Sequence, residues 1–183
     1  MALTSPIAIQ TLLDNHPMIQ GLRATGDYVE YRAYQDYPRD LREQNLTAGP
    51  LTGPQMIPIP PYVFAQRGGE SLIEILYLGK HVSGYYGIVH GGLLATMIDE
   101  ALGWCCFPSL PGGVGATATL SIEYLAPMPT ESIAVLKAQT KSVVGRKAWV
   151  EGHMETLVEN GEPVIIAKAR ALFVSPRNIK LGI

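Results

Sequence analysis

The residues of this chain that can do chemistry cluster in one apolar stretch. Ile88 to Phe107 reads IVHGGLLATMIDEALGWCCF, and two adjacent carboxylates, Asp99 and Glu100, sit in its middle. A buried charge is costly unless it is paired, hydrogen-bonded or used for chemistry. Gly91 and Gly92 fall where the stretch should begin as a helix. Glycines there let a ligand approach N–H groups that no intrahelical carbonyl satisfies. Those N–H groups carry partial positive charge and would stabilise a developing oxyanion. Donors and a carboxylate on one element point to attack on a carbonyl. A lone Gly-Gly would mean only tight helix packing; the flanking His90 and the downstream acid favour the chemical reading.

Spacing then constrains geometry. Asp99 follows Gly91 by eight residues, which on a helix is roughly 12 Å along the axis. A carbonyl and the water attacking it lie much closer together than that. Two antiparallel copies of the helix can meet the requirement, with Gly91 of one chain facing Asp99 of the other. The expectation is a two-fold homodimer with a shared site, a dimer of dimers being left open. Gly92, Thr96, Asp99 and Gly103 form one mostly small stripe beside the acid. Asp99 and Glu100 point about 100° apart, so one of them reaches the site. Asp99 is assigned the chemistry and Glu100 a structural role. The plainer reading for either acid is a buried ion pair with a base such as Arg170 or Lys168. Thr117, further along the chain, can hold the water that Asp99 activates, although taken alone it reads equally well as a strand threonine. Arg146 and Lys147 fall in a turn, where a basic pair is usually just solvated; beside an acyl-carrier site they would meet phosphates. No metal is expected, because His16, His81 and His153 are scattered without ligand spacing. Gly112 to Gly115 lacks the following Lys-Ser/Thr of a phosphate loop.

The elements that must position these residues follow from hydrophobic period. Leu72 to Leu78 reads as a strand, His81 to Val89 as a glycine- and tyrosine-rich loop, and Phe107 to Gly115 as a Pro/Gly loop. Thr117 to Tyr124, Ile133 to Val143, Lys147 to Leu157 and Val164 to Val174 alternate or run apolar as strands, with Asn160-Gly161 as a hairpin turn. Short links imply antiparallel pairing. One long apolar helix with no companion must lie against the concave face of a curled sheet. The expected class is therefore α+β, a hotdog fold with an antiparallel sheet wrapped around one central helix.

Residues 1–69 differ from this pattern and read as an N-terminal extension. Ser5-Pro6 opens a short helix that Pro17 restarts or kinks, five prolines between Pro50 and Pro61 make an extended connector, and Tyr62 to Ala65 is a candidate strand. The extension reads as an arm over one edge of a domain spanning 70–176, with a tail at 177–183. The chain has 183 residues, 47% hydrophobic, with a formal net charge of −2, which gives no sign of nucleic acid or an anionic membrane surface as the main partner. The internal His, Asp, Glu and glycines argue against a membrane span for the apolar stretch. Cys105 and Cys106 are adjacent, unsuited to bridging each other, and read as buried thiols of a reducing compartment. With no secretory signal visible and Arg23 the first basic residue, a cytoplasmic location is expected, a mitochondrial one being left open.

His90-Gly91-Gly92 followed by Ala95-Thr96-Met97-Ile98-Asp99 resembles the signature of hotdog-fold acyl-CoA thioesterases of the PaaI and mammalian THEM type. The similarity continues through Thr117 to Tyr124 and Gly145-Arg146-Lys147, covering about Glu70 to Pro176. The N-terminal part, with Leu46-Thr47-Ala48-Gly49 and the proline run, resembles the extension of fungal members. The resemblance implies hydrolysis of an acyl thioester to a carboxylic acid and a thiol. It implies Asp99 as general base or nucleophile, an oxyanion contact at Gly91 or Gly92 with His90 beside it, and Thr117 assisting. Gly92, Glu123, Tyr124, Arg146 and Lys147 match positions near the substrate or its CoA moiety. The acyl chain would lie in the apolar gap beside the helix, under the Phe107–Gly115 loop. No cofactor is implied; CoA or a carrier phosphopantetheine arm belongs to the substrate. The sequence departs from the family pattern at Glu100, where the mammalian enzymes have a small uncharged residue, and at Tyr85-Tyr86. Two other readings stand beside this one: a pathway hydrolase of a carrier-bound polyketide, and a non-catalytic hotdog module that binds or regulates.

Overall fold

A computed structural model of the chain describes residues 5–177. Its elements are α1 (Pro6–Asn15), α2 (Pro17–Thr25), β1 (Tyr28–Arg32), α3 (Arg39–Gln44), β2 (Tyr62–Gln66), β3 (Ser71–Leu78), a small hairpin of β4 (Ser83–Tyr85) and β5 (Ile88–Val89), α4 (Gly91–Cys106), β6 (Ala116–Tyr124), β7 (Ser132–Val144), β8 (Lys147–Thr156) and β9 (Ile165–Val174). The longer strands form one antiparallel sheet in the order β1-β2-β3-β7-β8-β9-β6.

The sheet wraps α4 because that helix has little polar surface to offer water. Leu94, Met97, Ile98, Ala101, Leu102 and Cys105 recur at helical spacing and are all buried. They meet Leu72, Leu76, Leu136, Val150 and Met154 from the strands in one core. The approach is close: a Cβ added at Gly152 would lie 2.8 Å from Leu102 and 2.5 Å from the Lys137 carbonyl. Cys105 and Cys106 are free and buried in this core. Among the described residues no helix is long and apolar enough to cross a membrane.

The N-terminal extension is built into the same sheet. β1 and β2 add two strands beyond β3, and the expected boundary near Gly69 falls in the β2–β3 turn, where Gly68 and Gly69 hold φ of +82 and +80. The helices α1 and α2 cover the outer face, where Ile9, Leu13 and Ile19 pack on Tyr62, Phe64, Ile75 and Tyr77. Both faces of β3 are thus buried, which is why its sequence runs apolar. Ser5 Oγ accepts from Ala8 N at 3.2 Å and His16 Nδ1 from Met18 N at 3.2 Å. These caps stand directly before Pro6 and Pro17, so Pro17 restarts a helix rather than kinking one.

Two expectations change. The loop at His81–Val89 contains the β4–β5 hairpin. Asn160-Gly161 is not a two-residue turn: residues 157–164 join β8 to β9, and Thr156 closes this longer loop by bonding Val164 through backbone and Oγ1, each at 3.0 Å. Of the expected tail, only Arg177 is among the described residues.

If α1 is part of the cooperative core, Leu13→Ala removes a fully buried side chain and costs about 2–5 kcal/mol. Urea unfolding checks this. A loss below about 0.5 kcal/mol would show that the helix contributes little to the folded unit.

Candidate active site

The start of α4 is capped by a histidine. His90 Nδ1 accepts from the Gly92 N–H at 2.9 Å, so a neutral ring carries its proton on Nε2. The ring lies in a slot between two glycines. A Cβ at Gly84 would lie 2.9 Å from His90 Cα and Cδ2, and one at Gly92 would lie 2.9 Å from Cε1. This corrects one expectation. The Gly92 N–H is occupied by the cap and offers nothing to a ligand, whereas the exposed Gly91 N–H makes no bond among the described residues. Tyr124 holds this first turn in place, its hydroxyl donating to the Gly91 carbonyl at 2.8 Å. The outward donors are therefore Gly91 N–H and His90 Nε2–H.

Asp99 lies two turns along, half-buried. Thr117 Oγ1 donates to its Oδ1 at 2.9 Å, and its Oδ2 accepts no bond among the described residues. The pair opens into a cleft of about 360 Å³ whose walls include Thr96, Gly103, Trp104 and the arm residues Tyr37, Leu46 and Thr47. Thr117 reaches Asp99 because a bulge between Thr117 and Thr119 turns the start of β6 inward. The threonine's proton is thus used to orient the carboxylate, leaving the other oxygen free to take a proton.

Glu100 has different surroundings. The Tyr34 hydroxyl donates to its Oε2, and Thr47 Oγ1 lies 3.0 Å from its Oε1. Neither acid pairs with Arg170 or Lys168, which lie on the opposite sheet face in a groove of about 510 Å³. Burial raises Glu100 above the ordinary carboxylate range, and the charge of Asp99 adds to this, against the lowering effect of its two hydrogen bonds. Thr47 Oγ1 also lies 2.8 Å from Asn45 Oδ1, which accepts from the Thr47 and Ala48 N–H groups.

The remaining expected residues are dispersed. Glu123 faces the outer groove with Lys168 and Arg170, away from Asp99. The Arg146 guanidinium donates to the Ser175 carbonyl. Lys147 is exposed; it pairs with Val174, which pairs with Ala116, so about two strand spacings, ~10 Å, separate it from the start of β6. Sequence reasoning missed Glu74. It lies on the α4 side of β3, fully buried, with neither carboxyl oxygen bonded. Burial, followed by the charge of Glu100, pushes it well above the ordinary range. The same burial, with Glu74 and Glu100 adding to it, pushes the Tyr34 phenol far up and keeps it a donor. No three His, Cys, Asp or Glu side chains among the described residues stand together as a metal site.

An antiparallel sheet wrapped on one central helix defines a hotdog-fold protein. The Thioesterase superfamily profile matches residues 86–158. An uncharacterized mitochondrial protein of Candida albicans (strain WO-1) is 31% identical over 180 residues, covering 92% of this chain and 81% of that protein. Acyl-coenzyme A thioesterase THEM4 of Rattus norvegicus is 33% identical over 112 residues, 61% of this chain and 46% of the rat protein. The E. coli PaaI protein superposes with a TM-score of 0.54 at 13% identity, covering 61% of this chain and 76% of that one. A Streptococcus pneumoniae TIGR4 thioesterase protein with coenzyme A gives a TM-score of 0.50 at 20% identity, covering 57% and 80%. The chain belongs to the thioesterase superfamily.

The buried acids give a pH prediction. Glu74 is raised in the folded state above its ordinary value of 4.5. Its stability contribution is therefore complete below that value and lost as pH rises through the raised one. Glu74→Gln should gain stability over the natural chain as pH rises above about 4.5, with the difference widening until the folded-state carboxyl ionises. Urea unfolding at several pH values measures it; a constant difference would show that Glu74 does not change protonation on unfolding.

Proposed function

We propose that this protein hydrolyses an acyl thioester, of coenzyme A or of a carrier phosphopantetheine, to a carboxylic acid and a thiol. The observation that carries this reading is the Thr117–Asp99 bond, which leaves one carboxylate oxygen facing the cleft. The same helix begins with an unbonded N–H at Gly91. Asp99 Oδ2 takes a proton from water, and the hydroxide attacks the carbonyl carbon. The oxyanion is met by Gly91 N–H and His90 Nε2–H. When it collapses, the C–S bond breaks and the thiolate takes the proton back from Asp99. Lys147, exposed near the start of β6, suits a phosphate of the thiol carrier.

Gly91 and Asp99 of one chain are too far apart to share a carbonyl, so the reading requires a second copy. β6 supports this. It pairs with β9 on one side and with nothing on the other among the described residues, leaving a nine-residue edge. Unpaired edges of that length invite another strand. Two β6 edges joined antiparallel bring two α4 helices side by side, with each Gly91 facing the other Asp99. The mitochondrial label on the Candida relative makes the mitochondrion the compartment to test beside the cytoplasm.

A thiol-release assay with acyl-CoA substrates tests the assignment. Asp99→Asn should lower kcat by about 10²–10⁴, and Thr117→Ala by less. Gly91→Pro removes the N–H at a position where proline suits a helix, and should cost about 10²–10³. Glu100→Gln should stay active. Full activity in Asp99→Asn ends the assignment.

Sharing of the site is tested by mixing. Asp99→Asn chains mixed in equal amounts with Gly91→Pro chains pair at random, so about half of the dimers are mixed, each has one intact site, and about a quarter of the natural activity should return. Confirmed mixed dimers with no recovery would place both groups in one chain's site.

A further inference from the structure

Three tyrosines of the arm gather at the last turn of α4. The Tyr34 ring stands edge-on to Trp104 with centroids 5.3 Å apart, and Tyr37 stands edge-on to Tyr34 at 5.7 Å. Tyr31 lies beside them on the same trough, a space of about 440 Å³ that runs past Trp104, Phe107 and Pro108. The trough and the cleft that holds Asp99 have Tyr37, Trp104 and Phe107 in common, so they lie side by side along the end of α4. Tyr31 and Tyr37 remain 41% and 40% exposed. Large rings left in water at the rim of an apolar path are suited to an apolar ligand. The arm is held in this position by Glu100, which takes the Tyr34 hydroxyl and contacts Thr47.

We propose that the arm forms the acyl-binding wall of the site, and that the substrate is a straight acyl chain of about ten carbons that runs past Tyr37 and Trp104 and ends at Phe107. This rests on the thioesterase reading and gives it a substrate class. The length follows from the helix: Asp99 to Phe107 is eight residues, roughly 12 Å of rise. A fully extended chain advances ~3.5 Å per three bonds, so that path takes about ten bonds. No comparable wall is available without the arm, because Tyr37 and Tyr34 supply one side of the trough and α4 supplies the other.

Two measurements decide the matter. In the first, kcat/KM is compared for decanoyl-CoA and acetyl-CoA. Trp104→Ala and Tyr37→Ala should each lower the decanoyl-to-acetyl ratio by tenfold or more, with Tyr37→Ala as the milder change at a half-exposed ring. Circular dichroism confirms that each variant is folded. Folded, active variants with an unchanged ratio overturn the proposal. In the second, Trp149→Phe leaves Trp104 as the only tryptophan, since the chain has two. Titration with decanoate should give a saturable change in Trp104 emission that acetate does not give. A silent Trp104 in a protein that hydrolyses thioesters of every length sinks the acyl wall and leaves the thioesterase. A saturable response in a protein that hydrolyses none does the reverse.

Discussion

A helix rises by about 1.5 Å per residue and does not bend over two turns inside a packed core. That rigidity keeps the Gly91 N–H and the Asp99 carboxylate roughly 12 Å apart. Much of the architecture answers to it. The sheet holds α4 straight by burying Met97, Ile98, Ala101 and Leu102, while the stripe with Gly92, Thr96 and Asp99 is left less covered. The neighbouring strand β6 ends the sheet on that same side with its edge open. Acid and open edge lie on adjoining elements, joined by the Thr117–Asp99 bond, and the two-fold mate proposed above would meet both.

Capping by histidine has a chemical consequence that the usual caps lack. Serine or aspartate at that position would satisfy the second N–H equally well. Aspartate would also place a negative charge beside a developing oxyanion, and serine would add no ring N–H. Histidine accepts with Nδ1, which directs the remaining proton to Nε2 on the outward side. The cost is space, and two glycines provide it, Gly84 beside Cδ2 and Gly92 beside Cε1. Gly92 thus serves the site through its missing side chain, not through its N–H.

The long elements were legible because each has a single period. α4 and the four strands after it follow from spacing alone, whereas Pro17 could restart or kink a helix until the His16 cap showed a restart. What was illegible depends on parity or on distant chain segments. Glu74 falls in the sequence LIEILYL, where alternation cannot tell one face from the other once both faces are apolar. Only the packing of α1 and α2 on the outer face shows that Glu74 shares the inner face with Leu72 and Leu76. Glu123 was expected near the substrate together with Tyr124, yet neighbours on a strand face opposite ways. The bulge after Thr117 lets that residue and Tyr124 both face the helix despite odd separation. The partners of Glu100 lie 66 and 53 residues away, beyond any local pattern.

Two neighbouring acids have opposite fates because one opens onto a cleft and the other is closed in by the arm. Asp99 receives one hydroxyl and opens onto a cleft, so it keeps an oxygen for a proton. Glu100 is closed in by Tyr34 and Thr47, and both burial and the neighbouring charge of Asp99 favour its neutral form. A charged Glu100 would place a second negative charge beside the first and near the buried Glu74. The two oxygens of Glu100 take one hydroxyl each from Tyr34 and Thr47, and so tie the arm to the helix. The arm in turn brings Tyr37, Leu46 and Thr47 to the wall of the cleft beside Asp99. In this arrangement one acid builds the enclosure in which the other can act, and the order of the two along the helix decides which is which.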